Sequence, residues 1–183
     1  MISTLRTDRG FTLTELLLVV AVIGTLAAMA LPVMQDVTAS IKLNEASRMV
    51  ERELQDARLK AVSTNRKLRV RPNCPAAGYI RTVEVLGTTA DTAPDRCNQT
   101  AYPFPAADQD VITRPNFDGP VRTIPNGATL TGSTIEFFFS PNGTAVEVGG
   151  TVPMAAPVSM TITREGKSKT VTINGAGKIL LVQ

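Results

Sequence analysis

Gly10-Phe11-Thr12-Leu13-Thr14-Glu15 runs directly into LLLVVAVIGTLAAMALPVM at residues 16–34. A single carboxylate, Glu15, stands at the edge of 19 residues that carry no other charge. At the helical rise those 19 residues reach about 28 Å, close to the thickness of a bilayer's hydrocarbon core. A soluble helix or a plain anchor would avoid an acid at this place. An ionisable group beside a membrane segment is costly, and it is explained by function when a partner can be named. The partner expected here is the amino group that a cut before Phe11 would create.

Gly10 followed by Phe11, Glu15 fifth after the junction, and a short basic leader resemble the class III leader of type IV pilins and pseudopilins. The resemblance implies cleavage between Gly10 and Phe11 by a prepilin peptidase, then N-methylation of Phe11. It also implies that Glu15 neutralises the Phe11 amine of a neighbouring subunit during assembly. Two other readings compete. Ala28-Met29-Ala30 has the small-x-small form of a secretory signal-peptidase site, with Arg6 and Arg9 as its basic region. The apolar run continues past it into a helical pattern, which a removed signal would not need. A plain amino-terminal anchor would leave Glu15 and the Gly-Phe junction as coincidences. The leader arginines favour a cytoplasmic amino end and an exported body.

At 183 residues the chain suits one soluble domain plus an anchor. With no His there is neither the commonest metal ligand nor the commonest general base. No nucleophile–base pair, carboxylate pair or metal-ligand cluster is recognisable, so neither an enzyme nor a metal or cofactor site is expected. Net charge is +3, and its distribution is uneven. Residues 42–71 hold nine Lys/Arg against four Asp/Glu, residues 72–163 four against eight, and residues 164–183 four against one. Two cysteines, Cys74 and Cys97, in an exported body read as one disulfide closing a loose Thr-, Ala-, Gly- and Asp-containing segment.

Between Thr12 and about Thr64 only Gly24 and Pro32 interrupt a helical reading, so one long helix is expected. Pro32 removes a helical hydrogen bond and should kink it, as the pilin family's proline at the matching place does. Beyond it Leu43, Ala46, Val50, Leu54, Ala57 and Ala61 follow steps of three or four and lay an apolar stripe for packing on the body. Ala57-Arg58-Leu59-Lys60-Ala61 resembles the "ARxxA" region that leads into the first strand of GspH/FimT pseudopilins.

After Arg71 strand period replaces helical period. Strands are expected at residues 68–70, 79–86, 134–140, 144–148, 158–163, 169–173 and 178–182, with 111–112 as a further short candidate. Pro141-Asn142-Gly143 marks a hairpin, and residues 164–168 a second one. Residues 87–120 read as a long loop. The order of the last strands resembles the carboxy-terminal half of the GspH/FimT family. The fold class so implied is α+β and pilin-like, a long amino-terminal helix, half transmembrane and half amphipathic, packed on an antiparallel β-sheet body. The segments are 1–10 leader, 11–34 transmembrane and assembly helix, 35–64 amphipathic helix and 65–183 β-rich body.

The function implied is that of a minor subunit of a type IV pilus or a type II secretion pseudopilus, priming or capping the fibre. Its partners would be other pilin subunits, the prepilin peptidase and the inner membrane, with the body in the periplasm. The alternative is a FimT-like DNA receptor. It would use Arg164, Lys167, Lys169 and Lys178, with Arg66, Lys67, Arg69 and Arg71 as a second cluster, because phosphate binding needs several cations on one face. Gly177-Lys178-Ile179-Leu180 has one cation where a Gly-Arg-x-Arg-like tail would have two.

Overall fold

The computed structural model describes residues 10–106, 114–132 and 136–182. The leader before Gly10, the short strand expected at 111–112 and the first residues of the strand expected at 134–140 lie outside them. Helix α1 runs Leu13–Thr64, with position 32 inside it. The chain divides into two compact units, residues 1–38 and 39–183.

In the first unit α1 is apolar on every side beyond Glu15, and its described side chains are exposed from Leu13 to Leu31 and at Met34. It is long and apolar enough to cross a membrane. Such all-round apolarity suits a helix whose surroundings are lipid or other helices, not water.

The second unit begins with the amphipathic part of α1. Leu43, Ala46, Val50, Leu54, Ala57 and Ala61 are all buried, together with Ala39, as the stripe of the sequence requires. The stripe enters one core with residues of two antiparallel sheets. The first sheet has the order β3-β2-β1-β5-β6, from Val121–Thr123, Tyr79–Glu84, Leu68–Pro72, Phe137–Phe139 and Ala145–Glu147. The second has the order β4-β7-β8-β9, from Thr129–Thr131, Val158–Arg164, Lys167–Ile173 and Ile179–Val182. Leu68, Val70, Ile80, Phe137 and Phe139 come to the core from one sheet, and Leu130, Met160, Ile162, Val171 and Ile173 from the other. Alanines in the helix stripe keep the backbone close to both sheets. Phe137 and Phe139 meet edge to face at 5.6 Å, a preferred aromatic geometry.

Turn chemistry sets the registers. The β7–β8 hairpin is tighter than the five residues expected, because Arg164 already pairs with Lys167. Glu165 and Gly166 form the turn with φ of 49° and 76°, the two positive values of a type I′ connection. The β5–β6 connection is five residues long, 140–144, closed by Ser140 N donating to Thr144 O at 2.9 Å. Asn142 Oδ1 accepts from Thr144 N at 3.1 Å, and Gly143 takes φ 80°. The two short strands β3 and β4 fall between the expected loop, which ends at residue 120, and the strand expected from 134, where no element was foreseen.

The long segment after β2 is tied down by buried charge. Cys74 and Cys97 form a disulfide with Cα atoms 5.1 Å apart. Arg81, fully buried on β2, donates to the carbonyls of Gly119 (2.9 Å), Arg96 (3.0 Å) and Tyr102 (2.6 Å). Arg96 donates to Asp118 Oδ1 at 2.8 Å, and the same oxygen accepts from Glu84 N at 2.8 Å. Burial pushes the Asp118 carboxyl above its ordinary range, and the Arg96 guanidinium only partly offsets this. A buried guanidinium is tolerated only when its donors are satisfied. For Arg81 three main-chain carbonyls supply that, so the loop folds around its side chain.

Leu54→Ala removes the centre of the helix stripe and is expected to cost about 2–5 kcal/mol. Leu59→Ala, on the exposed side of the next turn, should stay within about 0.5 kcal/mol of the parent. Chemical denaturation of the detergent-solubilised chain checks both.

Candidate functional site

Two places gather the residues singled out by the sequence. The first is the head of α1. Thr12 is the N-cap, and Glu15 lies three residues on. Glu15 N donates to Thr12 Oγ1 at 3.3 Å, while Thr12 N and Thr12 Oγ1 donate to Glu15 Oε2 at 3.0 and 2.9 Å. This is a capping box, in which each side chain satisfies the other's otherwise orphan backbone N–H. Sequence reading assigned Glu15 to assembly and missed this local role, although Thr-x-x-Glu before an apolar run is its signature. Both bonds fall on Oε2. A carboxylate offers about four acceptor positions, so Glu15 keeps capacity for an ammonium.

Phe11 is 78% exposed just before the cap. Gly10 has open space where a Cβ would sit and no positive φ. The local fold therefore makes no demand for glycine at position 10.

The second place is Arg58, within the ARxxA segment. Arg58 Nε donates to Gly143 O at 2.8 Å, and Arg58 Nη2 reaches Ala176 O at 3.5 Å. These carbonyls belong to the β5–β6 and β8–β9 turns, so one guanidinium holds a turn of each sheet. Gly177, at φ +73°, is packed so closely that an added Cβ would lie 2.0 Å from Gly143 O and 2.8 Å from Arg58 Nε. At Gly175 an added Cβ would lie 2.1 Å from Met154 O, and Ala145 N bonds Gly175 O at 3.0 Å. Gly143, Gly175 and Gly177 thus take part in a contact between sheets. Periodicity carries no trace of it.

The candidate nucleic-acid cations are differently disposed. Lys167 Nζ donates to Ser40 Oγ at 3.1 Å, and Lys169 Nζ to Asn44 Oδ1, so both amines are turned to α1. Arg164 Nε donates to Asn126 O at 2.7 Å, and Arg164 Nη2 pairs with Glu165 at 2.7 Å. Lys178 lies apart, in a cleft with Gln55, Arg58 and Leu59. In the second cluster Arg69 pairs with Glu136 at 2.8 Å. Arg66 lies over the Phe117 ring and Lys67 over the Phe138 ring, at 5.5 and 5.3 Å. The four carboxy-terminal cations do not share one open face. Among the described residues no group of three or more His, Cys, Asp or Glu is placed to hold a metal.

Comparison with known proteins bears on the first place. A family model described as the prokaryotic N-terminal methylation motif matches residues 5–31. A fimbrial protein of Moraxella nonliquefaciens is 45% identical over 60 residues, covering 33% of this chain and 36% of that protein. The type IV major pilin protein PilE of Neisseria gonorrhoeae is 51% identical over 44 residues, 24% of this chain and 26% of that protein. The chain thus spans about a third or less of the length of these relatives. Among solved structures, the type IV minor pilin FimU of Pseudomonas aeruginosa aligns at TM-score 0.48 and 18% identity, over 80% of this chain and 92% of that one. The minor pseudopilin EpsH of the Vibrio cholerae type 2 secretion system aligns at TM-score 0.46 and 15% identity, over 77% and 96%.

Gly177→Ala is expected to lower the unfolding midpoint well beyond Gly166→Ala. Both glycines have positive φ, but space around Gly166 is open, so its substitution costs only the backbone term of about 1–2 kcal/mol. Equal losses would mean that the contact with Gly143 and Arg58 adds nothing. With Phe11, Thr12 and Glu15 at the head of an exposed apolar helix and the methylation motif matched across them, the amino-terminal segment is similar to that of type IV pilins, and a body of antiparallel sheets follows it in the chain.

Proposed function

We propose that the chain is a minor pilin or pseudopilin of the GspH/FimT kind, a structural subunit of a type IV pilus or type II secretion pseudopilus and not an enzyme. Residues 1–10 are its leader, 11–34 the transmembrane and assembly helix, 35–64 the amphipathic helix and 65–183 the body. A prepilin peptidase cuts between Gly10 and Phe11, and Phe11 is then N-methylated. The observation that carries this reading is Glu15 at the head of a helix that is apolar and exposed all round. A carboxylate entering apolar surroundings unpaired costs several kcal/mol, and an ammonium from a neighbouring subunit offsets that cost. That no described residue requires glycine at position 10 supports recognition by an enzyme there.

Before cleavage the subunit waits in the inner membrane with its body in the periplasm. Pro32 loosens the helix so that it can adjust on packing. Head-to-tail assembly needs two different surfaces on each subunit, and a body with a long disulfide-closed loop suits a priming or capping place. The DNA-receptor reading is not adopted, because the amines of Lys167 and Lys169 are engaged with Ser40 and Asn44.

The mature protein should begin at a methylated Phe11, as read by mass spectrometry of its amino-terminal peptide. A start at Leu31 would instead identify a secretory signal. Glu15→Gln separates the two roles of this side chain. Gln serves a capping box as Glu does but carries no charge. Membrane insertion should therefore be kept while incorporation into fibres is lost. Normal incorporation of Glu15→Gln would leave Glu15 with capping alone.

A further inference from the structure

Each sheet has two edges, and three of the four are blunted. Strands β3 and β4 are three residues long, and β3 carries Arg122. On β6, Val146 is already bridged to Pro153. Strand β9, Ile179-Leu180-Leu181-Val182, has no charge, no proline and no such bridge. It ends the order β4-β7-β8-β9, so among the described residues no strand pairs with its outer side. An apolar edge of this kind is a template for a further strand, and folded proteins rarely leave one bare.

Asn174 N donates to Lys178 O at 3.1 Å where β8 turns into β9. Bonded and non-bonded pairs alternate along an antiparallel ladder. Lys178 therefore bonds inward, as does Leu180 opposite Thr172, while the main-chain N–H and C=O of Ile179 and Leu181 point outward. Both outward positions open on a trough beside α1. A cleft of about 340 Å³ holds Ile179 and Lys178 against Arg58 and Gln55. A second, of about 320 Å³, holds Leu181 against Arg48, Arg52 and Gln55. Gln55 belongs to both, so the clefts follow one another along the edge strand. Each is roughly ten times the ~30 Å³ share of one water, which is room for side chains.

The trough is basic. Arg48, Arg52, Arg58 and Lys178 line it against the single carboxylate of Glu51, a surplus of three positive charges among the lining residues. Arg58 bonds to two neutral carbonyls, and Glu51 accepts from Gln55 at 3.2 Å. A second copy of β9 would bring the same cations with it, so like charge opposes a symmetric pair of these edges.

We propose that the trough takes an extended, acidic segment of another protein as a fifth strand beside β9. The main chain of that segment pairs with the outward groups of Ile179 and Leu181, and its carboxylates meet Arg48, Arg52 and Lys178. In strand addition main-chain bonds supply affinity and the flanking side chains supply selection. The site does not depend on the reading of the amino terminus.

The test is titration calorimetry of the full chain in an uncharged maltoside detergent, with a blocked octapeptide of alternating Glu and Val as titrant. Saturable binding is expected, weakening as salt rises. Arg52→Glu, on the exposed face of α1, should weaken it at least tenfold, and so should Lys in place of Glu in the peptide. The Glu-Val peptide N-methylated at every residue keeps its charge but donates no main-chain hydrogen bond, and it should not bind. No saturable binding of the unmethylated peptide at millimolar concentration overturns the proposal. Equal binding of the methylated peptide also overturns it, since charge alone would then suffice. Tighter binding of a single-stranded DNA oligonucleotide, likewise weakened by Arg52→Glu, assigns the trough to nucleic acid instead. The peptide comparisons on the parent chain decide the matter even if that variant folds poorly.

Discussion

The body depends on burying the stripe from Leu43 to Ala61 on α1. Neither sheet covers that stripe alone, since residues of both enter the same core with it. At about 25 cal/mol per Å² of apolar surface, this shared burial is the main term holding the body together. Small residues matter as much as large ones. Ala46, Ala57 and Ala61 are fully or almost fully buried and leave space for strands to approach the helix backbone. The polar contacts that follow, such as Lys167 to Ser40 and Arg122 to Glu53 at 3.2 Å, set which face of the helix meets which strand.

Charge plays a second and different part. Arg81 sits on a strand whose residues from Ile80 to Glu84 are all buried, so both faces of β2 are covered. One face meets the core. The other meets the loop between β2 and β3, which wraps the guanidiniums of Arg81 and Arg96. Such a network adds little net stability over an apolar alternative, but it fixes a segment poor in apolar residues.

How much of this was legible in the sequence follows from the range of each interaction. The helix stripe, the Asn-Gly turn and the long strands β7 and β8 depend on neighbours a few residues away, and their periods were readable. The disulfide followed from a cysteine count. Strands β3 and β4, of three residues each, exist only because β2 and β7 offer them partners, at registers such as Ile80 with Arg122 and Leu130 with Ile162. No local pattern announces such pairings. Arg81 read as one polar member of an alternating strand, and only the loop's path buries it. Arg58 and Gly177 lie 119 residues apart in sequence, and their contact is tertiary. At the amino terminus the charge and the apolar run were plain, whereas the shared bonding of Thr12 and Glu15 needed helix geometry to be seen.

Arg58 also governs how the body would carry a load. Its guanidinium joins the helix to the turns at Gly143 and Ala176, one from each sheet. Tension entering along the amphipathic half of α1 is therefore divided between two sheets at one rivet. Neither sheet can be peeled from the helix without straining the other, which makes the body fail as a whole and not strand by strand.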